Sequence, residues 1–301
     1  MQKFILLFGA VLTMLALGAR AQQPDTALLF VHYKFAHVRD TANRAAAFKE
    51  NMVLVVGKHS GVYRSYDRQM EIAEIKKQTR DAIAASGGGP ITMNTHITSS
   101  GEEYYQYPNE KIMLRKEYIS LNGFLLSEAL PVISWQVSGD TETFNGLHCQ
   151  KAACHFKGRD YTAWFCPDLP LHVGPWQLNG LPGVIVEAYD AKKDVCFTFN
   201  GIEKVKVPGK NDLQAAQNTG GKPALLPPGV DDADPYIIKP PQTAVKTTPK
   251  EFARLQETER NDPAAFGQAM KGAQNGPKMS IDAHTGAQPA MNNPIELPEK
   301  K

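Results

Sequence analysis

Cys149-Gln150-Lys151-Ala152-Ala153-Cys154-His155-Phe156, Lys157-Gly158-Arg159-Asp160 and Tyr161-Thr162-Ala163-Trp164-Phe165-Cys166 follow one another without a break, and they decide the fold. Two strand-length runs on either side of a short polar turn with one glycine read as a β-hairpin, the unit of an antiparallel sheet. If Lys157 to Asp160 close a two-residue turn, position 156 faces 161 and 151 faces 166. Because side chains alternate across a strand, Cys149, Lys151, Ala153, His155, Trp164 and Cys166 then share one face. Cys154, Phe156, Tyr161, Ala163 and Phe165 share the other, which reads as the core face.

Outward from this hairpin the same texture continues. Glu103 to Tyr107, Lys111 to Leu121, Phe124 to Leu126, Val132 to Ser138, Thr143 to Phe156, Gly183 to Tyr189 and Val195 to Asn200 are short runs bounded by turn residues, with no helical pattern between them. Upstream, Ala27 to Phe35 and Met52 to Tyr66 also read as strands, with a short helix between them over Asp40 to Lys49. Ile72, Ile75, Ala82 and Ile83 lie on one side of a helix from about Asp67 to Ala85, stopped by Ser86-Gly87-Gly88-Gly89-Pro90. The expected fold class is α+β: a predominantly antiparallel, curved β-sheet with a few helices and a proline-rich C-terminal tail.

The ends of the chain have a different character. Lys3, an apolar run from Phe4 to Leu17 and the exit Ala19-Arg20-Ala21 form a secretory signal peptide over residues 1–21, too short to span a bilayer. No cysteine follows as a lipid anchor, so the mature chain is expected to be periplasmic or secreted. At the other end, 13 of the 21 prolines lie from Pro208 onward, so an α+β core domain is expected over 22–206 and a tail over 207–301. Within that tail, Thr248-Pro249-Lys250-Glu251 carries a helix-start signal and predicts a helix through Glu259; Asp262-Pro263 repeats the signal for Ala264 to Met270. Pro223 to Pro241 reads as a flexible proline-rich segment. A net charge of +2 with no basic run excludes a nucleic-acid partner, which needs a clustered positive face.

Gly174-Pro175-Trp176-Gln177-Leu178-Asn179-Gly180-Leu181-Pro182-Gly183-Val184-Ile185 is a rigidified loop entering a strand. Its glycines do not match the GxGxxG spacing of a phosphate cradle, and its prolines remove amide donors. A sharp turn packed by Trp176 and Leu181 is the expected form. The stretch from Gly180 to Ile185 resembles the motif that names the GLPGLI family, exported proteins widespread in Bacteroidetes, with Val184 where the name has leucine. Cys149-Gln150-Lys151-Ala152 and the run from Gly158 and Arg159 through Trp164 and Phe165 resemble two further elements of that family, and Asn293-Pro294-Ile295-Glu296-Leu297 resembles a sequence near which many members finish. The resemblance implies work in the cell envelope, with outer-membrane receptor or envelope proteins as partners, and no known activity, ligand or cofactor.

Several constellations invite chemistry. Export into an oxidising compartment favours disulfides among Cys149, Cys154, Cys166 and Cys196; the hairpin register makes Cys149 and Cys166 diagonal neighbours, with Cys154 and Cys196 as the complementary pair. The same hairpin could supply a thiol- or metal-dependent hydrolase using Cys149, His155 and Cys166, with Asp168 nearby. Adjacent ligands on opposite faces close a tetrahedron poorly, however, so no metal site is expected. The pairs Glu102-Glu103 and Asp231-Asp232 read as solvated loop charge. Tyr104, Tyr105, Tyr107, Trp135, Trp164 and Trp176 line either a ligand surface or an ordinary core. The preferred reading is a non-enzymatic binding or assembly protein for a peptide, protein or lipid-like ligand, with the hydrolase as its alternative and a tail-docked accessory of a membrane complex as a third.

Overall fold

In the computed structural model, residues 24–87, 97–120, 122–205, 234–271 and 291–299 are described. The expected signal peptide and Asp231-Asp232 lie outside them.

The chain builds strand upon strand because each run finds its neighbour through a tight turn. Strands β2 (Leu29–His37) and β3 (Phe48–Val56) pair antiparallel over their whole length, Leu29 opposite Val56 and His37 opposite Phe48. This pairing overturns the helix expected over Asp40 to Lys49. Phe48-Lys49-Glu50 is claimed by the ladder, and only a 3-10 turn over Arg44–Ala46 remains. The run expected as one strand from Met52 to Tyr66 is likewise folded back, Gly57 N–H donating to the Ser60 carbonyl at 2.9 Å before β4 (Gly61–Ser65) begins.

Strands β5 (Glu103–Tyr107), β6 (Ile112–Ile119), β7 (Asn122–Ala129), β8 (Gln136–Phe144), β9 (Leu147–Phe156), β10 (Arg159–Cys166), β11 (Val184–Asp190) and β12 (Val195–Lys204) follow. Two short strands, β1 (Asp25–Thr26) and β13 (Ile237–Ile238), pair separately, and β14 (Val245–Thr247) joins the edge of the main sheet. The 12-stranded sheet runs β14-β7-β6-β5-β4-β3-β2-β12-β11-β10-β9-β8, curved but unclosed. All its pairings are antiparallel except β14 with β7. The α+β expectation therefore holds.

Period-two alternation sorts the side chains onto two faces. Tyr33, Leu54, Tyr63, Tyr104 and Met113 lie in one large core with Phe197, Trp176 and Ile185; Val53, Val55, Val62, Tyr105 and Leu114 lie in a second with Ile238. Helix α1 (Tyr66–Ser86) starts where Ser65 Oγ accepts the Arg68 N–H at 2.9 Å and stops at Gly87, whose φ of 56° needs no Cβ. Helices α2 (Pro249–Asn261) and α3 (Pro263–Lys271) follow the expected cap-then-proline signals, Thr248 Oγ1 accepting from Glu251 N–H at 3.2 Å. Phe252 of α2 meets the Phe124 ring edge-on at 5.4 Å, in a third core with Leu126 and Phe266.

Candidate functional site

Lys157 and Gly158 form the hairpin turn of β9 and β10, with φ of 51° and 69°, so Phe156 faces Arg159 rather than Tyr161. The turn lies one residue earlier in the chain than Gly158-Arg159, where the sequence predicts it, which shifts the register by two positions. An even shift keeps Cys154, Tyr161, Ala163 and Phe165 on the core face, all buried in the main core, but Cys149 and Cys166, expected on the other face, are buried in the same cluster. It also brings Cys149 directly opposite Cys166, Cα to Cα 4.1 Å, and the two are disulfide-bonded. Cys154 and Cys196 are free thiols, against the expected second pair. They sit on β9 and β12, three strand spacings or roughly 14 Å apart, whereas a disulfide needs Cα atoms within about 7 Å.

The glycine loop is the sharp, packed turn that was expected. Trp176 and Leu181 are 3% and 1% exposed. Gln106 of β5 clamps it from below, donating to the carbonyls of Gly174 (3.0 Å) and Trp176 (2.9 Å) and accepting the Gly174 N–H (3.2 Å). A Cβ on Gly183 would stand 2.3 Å from the Cys166 carbonyl oxygen, so the loop approaches the end of β10 as closely as only glycine permits.

Arg159, first residue of β10 and only 4% exposed, is the centre of the site. Its Nη1 donates to Asp190 Oδ2 at 2.8 Å; its Nη2 donates to Asn293 Oδ1 and to the Pro294 carbonyl, both at 2.7 Å; its Nε donates to the Ile295 carbonyl at 2.9 Å. One guanidinium thus grips three consecutive residues of the C-terminal segment Asn293–Ile295. Asp190 is itself fixed, its other oxygen accepting the Asp194 and Val195 N–H groups at 2.7 and 2.9 Å.

The rest of the segment is read along its length. Asn293 Nδ2 donates to the Val38 carbonyl (2.7 Å) and Asp194 (3.2 Å), and His37 Nε2 donates to the Asn293 carbonyl at 2.8 Å. Burial, helped by the Arg39 and Arg159 charges, holds the His37 pKa below its ordinary value, so the ring serves as a neutral donor. Glu296 accepts from Gln177 of the glycine loop at 2.7 Å and from Lys157 at 2.9 Å. Leu297 N–H donates to the Lys157 carbonyl at 3.0 Å. A Cβ on Gly158 would strike the Leu297 and Pro298 carbonyls at 2.7 and 2.8 Å, so this glycine both makes the turn and admits the segment. At the far end Glu299 receives the Gly158 N–H (3.1 Å) and bonds His155 Nε2 at 2.8 Å, while Asp160 bonds Nδ1 at 2.6 Å. With a carboxylate on each ring nitrogen both must carry protons, and those two hydrogen bonds, Asp160's first, raise the His155 pKa.

Three stretches that carry the family resemblance, around Arg159, in the glycine loop and at Asn293–Leu297, therefore converge on one groove. The sequence reading singled out Arg159 but missed His37, Lys157, Gln177 and Asp190. Their partners are remote in the chain, and no local spacing marks them.

The other constellations disperse. Among the described residues no group of three or more His, Cys, Asp or Glu side chains is placed to hold a metal ion. Glu103 is not solvated loop charge. It opens β5 and, although burial would raise its pKa, Lys116 (3.0 Å) and the Arg64 charge hold it below its ordinary value. Tyr104 and Tyr105 point to opposite faces of the sheet, and Trp135 donates to the Asn179 carbonyl at 2.8 Å, so the aromatics are core and loop anchors rather than one lining.

Residues 136–187 match a family model described as "Protein of unknown function (Porph_ging)". No curated protein matches the chain in sequence. Among solved structures, PNGF-II in a C2 crystal form superposes with a TM-score of 0.47 at 9% identity, covering 78% of this chain and 33% of that one. A P21 form of PNGF-II gives 0.40 at 11% identity, covering 62% and 30%. The chain spans about a third of the length of these proteins.

Proposed function

We propose that this is an exported, non-enzymatic binding or assembly protein of the GLPGLI type, periplasmic or secreted, whose groove around Arg159 receives an extended peptide. The observation that carries the reading is the seating of Asn293–Ile295 on a buried arginine through two main-chain carbonyls and one side-chain amide. Main-chain bonds supply affinity for any extended chain, and the contacts to Asn293 and Glu296 supply selection. The protein's own C-terminal segment occupies the groove in cis, and an envelope protein presenting a similar segment is the partner this reading implies. No described helix is long and apolar enough to cross a membrane.

The alternative hydrolase is weakened at its chemistry. The sulfurs of Cys149 and Cys166 are bonded to each other, so neither is a nucleophile or a thiolate ligand, and both nitrogens of His155 are engaged by carboxylates.

The test uses the full chain with a protease site introduced between residues 272 and 290, cut after folding and dialysed. A labelled peptide of residues 291–301 is then titrated back. Saturable micromolar binding, weakened at least tenfold when Asn293 of the peptide is replaced by alanine, supports the reading. Failure of a folded, cut protein to rebind the peptide at millimolar concentration overturns it.

A further inference from the structure

On the sheet face opposite the main core, Arg64 of β4, Glu103 of β5 and Lys116 of β6 stand in register across three strands. Helix α1 passes over this row and leaves a cavity of about 270 Å³ between its flank and the sheet. By volume this holds roughly nine waters, enough for a small organic ligand and too little for a folded partner.

The chemistry of the walls is two-sided. Glu103 contacts Lys116 at 3.0 Å and also lies under the Arg64 charge, so one carboxylate serves two cations. Arg64 is different: it is 7% exposed, and among the described residues its hydrogen-bond partners are neutral oxygens. Nη2 donates to the Pro235 carbonyl at 3.1 Å, and the Gln69 amide, turned so that its oxygen faces the guanidinium, accepts from Nη2 at 3.2 Å and from Nε. A buried guanidinium without a carboxylate in contact is costly, because dipoles replace only part of the hydration it gave up. Arg68 and Lys76 add further positive charge to the lining, with Glu102 the one remaining acid. Facing these groups, α1 contributes Met70, Ile72 and Ala73, with Met70 half exposed.

We propose that this cavity binds a small amphiphilic carboxylate, its head group on the Arg64 guanidinium and its apolar body along Met70, Ile72 and Ala73. The carboxylate supplies the second counter-charge that the Arg64–Glu103–Lys116 row, two cations to one acid, lacks, and a short acyl chain or aromatic ring covers apolar surface that α1 otherwise leaves to water. The site lies on the other face of the sheet from the main core and is independent of the groove around Arg159.

The test is calorimetric titration of the full mature chain with octanoate, octanamide and acetate. Saturable octanoate binding, at least tenfold tighter than octanamide and acetate, is expected. Arg64→Gln should weaken octanoate at least tenfold. Ala73→Trp, on the exposed side of α1, should abolish binding by filling the cavity while leaving the circular dichroism unchanged. The proposal is overturned by absence of octanoate binding at millimolar concentration, by octanamide binding as tightly as octanoate, by acetate binding as tightly as octanoate, or by unchanged octanoate affinity in a folded Ala73→Trp protein. Should Arg64→Gln fail to fold, the comparison of octanoate with octanamide and the Ala73→Trp variant still decide it.

Discussion

Arg159 holds two kinds of partner at once: the buried carboxylate of Asp190 and the oxygens of Asn293, Pro294 and Ile295. Replacing it with methionine keeps the volume but strands Asp190, 3% exposed, without its counter-charge. Breaking one side of such a pair costs about 3–5 kcal/mol. Urea unfolding of Arg159→Met should show a loss of that size, and a loss below about 1 kcal/mol would remove Arg159 from the centre of the site. Glu117 gives a second test at this scale. Burial raises its pKa to about 7 against the Arg115 charge, with Glu102, Glu128 and Glu296 adding to the rise. The folded protein therefore holds a proton that the unfolded chain has lost above its ordinary 4.5, so stability falls as pH rises from about 4.5 to 7 and then levels. Glu117→Gln should flatten that limb and gain up to about 3 kcal/mol at pH 8; an unchanged pH profile of unfolding would contradict the assignment. Neither role is written in the local sequence. Arg159 stood out only within a motif, and Glu117 has the look of any charged residue in a strand, because its burial and the acids that add to the rise, Glu102, Glu128 and Glu296, come from elsewhere in the chain, and only Arg115 is local.

At the scale of elements, legibility follows the range of the forces involved. Caps are local, and so the starts at Thr248 and Asp262 and the stop at Gly87 could be read from a few residues, whereas Ser65, the cap of α1, was hidden in the run read as a strand. The strand at Phe48 could not, because its ladder partner His37 overrides the helical look of the alanines before it. The hairpin of β9 and β10 lies between these cases: the burial of Cys154, Tyr161, Ala163 and Phe165 was legible from alternation and that of Cys149 and Cys166 was not, while the register depended on whether Lys157-Gly158 or Gly158-Arg159 turned the chain. That two-position difference changes the thiol chemistry, turning Cys149 and Cys166 from diagonal into facing residues. Intact mass under non-reducing conditions should accordingly show one disulfide and two thiols. Burial pushes the Cys154 thiol up to about 12, so it should label with iodoacetamide far more slowly at pH 8 than denatured protein does. A second disulfide joining Cys154 to Cys196 would require a different strand order.

For the molecule as a whole, composition separated a core ending near Lys206 from a proline-rich tail, yet packing runs across that line. Ile238 is fully buried with Val55 and Tyr105, β14 covers Phe124–Leu126 at the edge of the sheet, and Phe252 and Phe266 complete a core with Phe124 and Leu126. Proline density reports where long strands end, but three residues of parallel pairing and two phenylalanines are enough to tie a segment down. An unclosed sheet has a reason to keep them, since an uncovered edge strand with apolar side chains is a template for association. Two truncations separate the roles. A chain ending at Ala290 loses only the segment in the Arg159 groove and should keep the association state of the full chain by light scattering, with a lower midpoint of unfolding. One ending at Lys204 exposes the edge of β7 together with Phe124 and Leu126, and should self-associate at micromolar concentration even where its circular dichroism stays rich in strand. If the shorter chain is instead monomeric and unfolds at the midpoint of the longer one, then β14, α2 and α3 contribute nothing to the sheet, and the boundary suggested by proline density is also the boundary of the folding unit.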